Sequence, residues 1–321
     1  MLSRTADHLF WMARYMERAE NTARMLDVNY QTSLLPQSAD MAEQGWRGLL
    51  SISELTWAFS KTYDTVDARN VMDFMVRDES NPSSIVSCVR AARENARAVR
   101  GALTTEVWET QNQTWLEFTR MLAGDAFERD PGSLFEWVKF RSHLSRGVTV
   151  GTMLMDEALH FLRIGTFLER ADNTARLLDV KFQALAGGDY FGPGAAKEGM
   201  EVDFYHWSAI LRSVSGFEIY RKVYRNVIHP DKVAELLILR PDMPRSLAAC
   251  LNDLVINLEL VANQQSSETL RRAGRLRSDL QYGRIDEILA TGLHAYLTEF
   301  LDRVNDIGVG ISRDFLVPMA A

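Results

Sequence analysis

Hydrophobic and polar positions alternate with a helical period through almost the whole chain, and most regularly from His8 to Gln31. At 100° per residue, Met12, Tyr15, Met16, Ala19, Ala23, Leu26 and Tyr30 share one side of a helix. Arg14, Glu17, Glu20, Asn21, Arg24, Asp27 and Gln31 share the other. The pattern returns from His160 to Gln183, where 12 of 24 positions are identical without a gap. Apolar positions drift between the copies: Tyr15 becomes Phe167, Met25 becomes Leu177 and Tyr30 becomes Phe182. The polar ones persist as Glu169, Asp172, Asn173, Arg176, Asp179 and Gln183.

That asymmetry carries information. Most surface substitutions change stability by less than about 0.5 kcal/mol, so a solvated stripe has little physical reason to keep its residues. Side chains hydrogen-bonded to fixed partners do have one. The stripe is therefore read as packed on its own counterpart or on something bound; the competing reading is an exposed face laced with i, i+4 ion pairs.

Along the chain the pattern predicts helices over 3–35, 41–60, 70–77, 82–100, 105–122 and 134–150. Pro36 stops the first, and a loop spans Gly124 to Gly132. Gly151 marks a restart, with a second long helix over 152–186 and a strong loop from Gly187 to Gly194. The first half then recurs: Trp46 matches Trp207, Lys61 and Tyr63 match Lys222 and Tyr224, and Pro82, Cys88 and Asn95 match Pro244, Cys250 and Asn257. Helices over 246–262, 266–281 and 285–315 complete the copy. No stretch alternates as a strand. The expected fold is all-α: two tandem helical repeats of about 155 residues, 1–151 and 152–321, joined in one multi-helix bundle with pseudo-twofold symmetry.

Composition narrows the function classes. A net charge of −7 argues against general nucleic-acid binding. No apolar run reaches the length of a membrane span. The opening residues enter a charged amphipathic helix directly, which predicts no signal peptide. Two cysteines, Cys88 and Cys250, form no disulfide framework and fit a reducing cytoplasm; in equivalent mid-helix positions they read as small core residues.

The sequence contains no phosphate loop, dinucleotide fingerprint, zinc-protease motif, nucleophile elbow or paired CxxC. One metal-like spacing exists, Glu157 to His160. A di-iron bundle needs two such motifs, and the first copy has Thr5 in place of Glu157. His8 and His160 both fall on apolar faces, which favours hydrogen-bonded core histidines. No metal, cofactor or catalytic residue is assigned. Asp156 and Glu157, placed inward by the helical period, call for a cationic partner such as Arg14, Arg18 or Arg170.

The stretches Met1-LSRTADHLFWMARYMERAENTARMLDV and Met153-LMDEALHFLRIGTFLERADNTARLLDV resemble the two signature helices of the alpha-E family, bacterial all-helical proteins. The resemblance runs from Met1 to about Asp314. It implies work beside a circularly permuted ATP-grasp ligase and a transglutaminase-like protease, in forming or modifying peptide or amide bonds. The binding or interface residues it implies are Glu17, Arg18, Glu20, Asn21 and Arg24, with Glu157, Glu169, Arg170, Asp172, Asn173 and Arg176. Three roles stay open: a non-catalytic partner of the ligase or its peptide, an enzyme using clustered carboxylates and arginines at the repeat interface, and an ion network that only pairs the two copies. Self-association of the chain stays open as well.

Overall fold

The protein's structure, a computed structural model, describes residues 1–185 and 200–316. In chain order the helices are α1 (Ser3–Ser33), α2 (Ala39–Ile52), α3 (Thr56–Ser60), α4 (Ala68–Val76), α5 (Ile85–Ala98), α6 (Thr105–Ala123), α7 (Ala126–Arg129) and α8 (Pro131–Thr152). They continue with α9 (Glu157–Leu185), α10 (Met200–Ser213), α11 (Phe217–Tyr224), α12 (Pro230–Ile238), α13 (Leu247–Leu260), α14 (Ser267–Tyr282), α15 (Ile285–Thr291) and α16 (Leu293–Phe315). No strand occurs among the described residues, so the all-helical expectation holds. The predicted Gly187–Gly194 loop lies outside them. Among the described residues no helix is long and apolar enough to cross a membrane.

Local chemistry sets the boundaries. Ser38, Asp67, Ser84, Thr104, Asp130 and Ser246 each accept a hydrogen bond from a backbone N–H in the first turn of the helix they open. Pro131, at the start of α8, gives up only a donor that would be unpaired anyway. Three predicted boundaries need correcting. The 41–60 helix breaks into α2 and α3 because Glu54 turns left-handed at φ 55°. Gly151 does not restart the fold but lies inside α8; the break comes at Asp156, whose Oδ1 accepts from Ala158 N at 3.0 Å and starts α9. The 285–315 helix divides at Gly292, whose φ of 97° suits glycine.

Two helical groups meet on one seam. α1 packs against α5 and α8, with α6 closing on α5 and α8. α9 packs against α13 and α16, with α14 closing on α13 and α16. The seam is α1 against α9, running in the same direction, with Phe10 beside Gly165 and Glu17 beside Arg170. Gly165 sets the approach: a Cβ there would stand 2.3 Å from the Phe10 carbonyl oxygen. Being central, α1 is buried around its whole circumference from Ala19 to Asp27, while Trp11, Arg14, Tyr15 and Arg18 one to two turns earlier stay half-buried. Leu9, Met12, Ala19 and Leu26 are covered on one side, and Glu17, Glu20, Asn21 and Arg24 on the other. A polar stripe buried to this degree must find its partners inside the protein.

Candidate functional site

Glu17 and Glu20 are 1% and 0% exposed and form the centre of the polar seam. Arg170, from α9, donates through Nε to Glu17 Oε1 and through Nη2 to Oε2, both at 2.8 Å. This is the two-pronged geometry that suits guanidinium to carboxylate. Arg245, just ahead of α13, donates through Nη1 to Glu17 Oε1 at 2.9 Å and to Asn21 Oδ1 at 2.7 Å, and through Nη2 to Glu20 Oε1 at 2.5 Å. From α8, Arg146 Nη1 reaches Glu17 Oε2 at 3.1 Å and Glu20 Oε2 at 2.5 Å, and Ser142 donates to Glu20 Oε2 at 2.7 Å. Arg24 closes the group, donating to Glu20 one turn earlier and to Ser215 Oγ.

Charge governs the titration of this cluster. Burial would push both carboxyls up, but Arg170 and Arg245 outweigh it at Glu17 and hold that carboxyl below its ordinary value. At Glu20, Arg245 and Arg146 outweigh burial more strongly and hold it well below. Burial pulls His143 down against the pull of Glu20, so its ring is neutral at pH 7 and its Nδ1, 2.7 Å from Arg146 Nη2, can accept.

A second group forms one step away around Glu169 of α9. Arg14 Nε donates to Glu169 Oε2 at 2.7 Å, and Arg18 donates through Nε to Oε1 at 2.6 Å and Nη2 to Oε2 at 3.1 Å. Burial pushes the Glu169 carboxyl up, but Arg14 and Arg18 bring it down to about 2. The pairing is reciprocal: Arg170 clasps Glu17 while Arg18 clasps Glu169, so each Glu-Arg dipeptide gives its acid to the other helix and receives that helix's arginine.

Asp172 and Asn173 border this second group, with Arg176 Nε donating to Asp172 Oδ2 at 2.9 Å and its Nη1 paired with Glu54. Burial outweighs Arg176 here and raises the Asp172 carboxyl. Asp172, Asn173, Arg176 and Ser83 line a polar cleft of about 250 Å³. A second cleft of about 250 Å³, mostly apolar, opens between Met16, Leu162 and Phe167, with Arg146 and Glu17 at its polar wall.

Of the eleven residues singled out from the sequence, ten converge on this seam. Glu157 does not: it is exposed, in the first turn of α9, 2.5 Å from the Met1 amino group. Neither it nor the capping Asp156 faces Arg14, Arg18 or Arg170. Arg170 is itself 7% exposed, with its Nε and Nη2 engaged by Glu17.

Elsewhere His8 Nδ1 sits 2.7 Å from Asn95 Oδ1, and His160 Nδ1 sits 2.8 Å from Asn257 Oδ1. Both histidines are thus tied to helical asparagines. Burial pushes the thiols of Cys88 and Cys250 up to about 12, far from a thiolate at neutral pH. The described residues bring no three His, Cys, Asp or Glu side chains into a metal-holding group.

Arg245 and Arg146 escaped the sequence reading. Arg245 belongs to a short link before a helix and has no periodicity to mark it. Arg146 carried a signal: Ser142, Ser145 and Thr149 put small polar groups at helical spacing on one face of α8, the expected complement of a buried polar stripe.

An uncharacterized protein of Mycobacterium bovis and two of Mycobacterium tuberculosis are each 26% identical to this chain over 327 residues. The match takes in 93% of this chain but 35% of each relative, so the chain spans about a third of the length of the curated relatives it matches. No solved structure matches. The alpha-E profile, described as a predicted alpha-helical domain with a conserved ER motif, matches residues 1–316. Glu17-Arg18 and Glu169-Arg170, the two dipeptides that exchange partners across the seam, fit that description. The chain belongs to the alpha-E family.

Proposed function

We propose that the chain is a non-catalytic helical module, built from two copies of one helical unit, that serves an ATP-grasp and transglutaminase-like system forming or modifying peptide or amide bonds. The observation that carries the non-catalytic part is the reciprocal Glu-Arg exchange. General acid–base work at neutral pH needs a carboxyl poised near 7, and Glu17, Glu20 and Glu169 are all held in the opposite direction by arginines. The buried thiols are no better placed as nucleophiles. In this reading the exchange fixes the register of the two copies, the best-attested use of a buried ion network.

The two-copy part draws support from paired details. α5 and α13 have 14 residues each and are both capped by serine, Ser84 and Ser246. The two histidine–asparagine contacts fall at matching positions. So do Arg24 on Ser215 and Arg176 on Glu54, where both acceptors lie in left-handed backbone at corners after α10 and α2. Support for a module comes from the relatives, in which the matching part is a minority of a longer chain.

The enzyme reading keeps one observation in its favour, the raised carboxyl of Asp172 at an open polar cleft. Association separates the two. The purified chain should not turn over ATP and should be retained by the ATP-grasp ligase of its own organism in a pull-down. ATP turnover by the chain alone, lost in Glu169→Gln and accompanied by no ligase complex, would overturn the module reading.

A further inference from the structure

Two acid–acid–amide triplets lie on the seam: Glu17, Glu20 and Asn21 on α1, and Glu169, Asp172 and Asn173 on α9. The first holds a guanidinium, since Arg245 donates to all three of its members. Arg245 is the residue immediately before the cap of α13. The residue immediately before the cap of α5 is Ser83, too short to do the same for the second triplet. Ser83 and the whole second triplet instead line the polar cleft of about 250 Å³, just below the ~300–1,000 Å³ common for small-molecule sites. This room suits a single side chain.

The cleft has unused hydrogen-bonding capacity. Asp172 accepts from Arg176 on Oδ2, while its Oδ1 and the Asn173 amide have no partner among the described residues. Asn21, 3% exposed and also lining the cleft, gives its Oδ1 to Arg245 and leaves Nδ2 unpaired. Leaving a buried amide unpaired destabilises the free protein, and a bound acceptor would relieve that. Net charge permits a cation. Around the first triplet two carboxylates, Glu17 and Glu20, meet four arginines, Arg24, Arg146, Arg170 and Arg245. Around the second, Glu169, Asp172 and Glu54 meet Arg14, Arg18 and Arg176 in balance. One added cation leaves the second group less positive than the first already is.

We propose that this cleft is a binding site for the arginine side chain of a peptide, whose guanidinium takes on the second triplet the place Arg245 holds on the first. Planar donors fit the carboxylate and amide oxygens better than a lysine ammonium does. An arginine residue also brings a main-chain carbonyl, the acceptor type that Asn21 Nδ2 lacks. The proposal rests on reading the two halves as copies, and names the peptide chemistry such a module would recognise.

Titration calorimetry of the purified chain with Gly-Arg-Gly, Gly-Lys-Gly and Gly-citrulline-Gly tests it without any ligase. Saturable binding is expected for the arginine peptide. The lysine and citrulline peptides, and the Asp172→Asn variant, should bind at least about tenfold more weakly, as loss of a charged hydrogen-bond partner implies. Ser83→Arg should fill the cleft from within, abolishing binding and raising Tm. No saturable heat with the arginine peptide, or equal binding of the citrulline or lysine peptide, would overturn the proposal. Either result would leave the pull-down and the stability of the Glu17 network untouched, so the two readings fail separately. If Ser83→Arg does not fold, Asp172→Asn and the three peptides still decide.

Discussion

Glu17→Ala is expected to destabilise the protein by about 3–5 kcal/mol, the usual result of removing one partner from a buried ion pair. The loss is large because Glu17 accepts from three arginines on three separate elements: Arg170 of α9, Arg245 ahead of α13 and Arg146 of α8. Without it, Arg170 keeps a long contact to the Pro244 carbonyl at 3.4 Å and its place over the Phe167 ring, and three arginines, Arg24, Arg146 and Arg245, are left to share Glu20. Arg245 suffers most, since burial already pulls its protonated form below the ordinary arginine value despite Glu17 and Glu20. Denaturant melts at pH 7 read the effect directly. A change under about 1 kcal/mol, the range of exposed pairs, would mean that the seam is solvated.

Acid should unfold the protein in a defined window. Glu169 titrates at about 2 when folded, against an ordinary value of 4.5. Its ionised form therefore contributes stability that is complete above pH 4.5 and is lost as pH falls toward 2. The contribution is on the order of 3 kcal/mol. Glu17 and Glu20 are shifted the same way and steepen the fall. Asp172 is shifted the opposite way, so its protonation favours the folded state as pH drops and offsets part of the loss. Stability measured from pH 6 to pH 2 should fall steadily below 4.5, and Glu169→Gln should flatten the curve. A flat wild-type profile across that window would contradict the charge assignments.

The repeat and its polar stripe were legible because identity persisted where periodicity alone did not require it. Glu17, Glu20, Asn21 and Arg24, with Glu169 and Arg170 of α9, fall on the buried seam that this persistence implied. Helical spacing did not show that α1 is enclosed on every side from Ala19 to Asp27, because amphipathic spacing gives a direction and not what fills it. It also misjudged Glu157: the acid has the right phase but lies in the first turn of α9, beyond the packed part of the seam. Gly151 misled for a related reason. Glycine inside a helix costs only about 1 kcal/mol, which the packing of α8 absorbs, and the real boundary is the Asp156 cap. Arg245 was out of reach because its contact to Glu20 spans 225 residues and ends in a link with no repeating pattern.

The most direct test of the reciprocal exchange is a double-mutant cycle on Glu17 and Arg170, using Glu17→Gln, Arg170→Met and the pair together in denaturant melts. Groups in one hydrogen-bonded network couple by about 0.5–3 kcal/mol, while independent sites add within about 0.3–0.5 kcal/mol. Coupling of at least about 1 kcal/mol is expected, with the double variant more stable than the two single losses imply. Strict additivity would contradict it, since the two side chains would then not depend on each other across the α1–α9 seam.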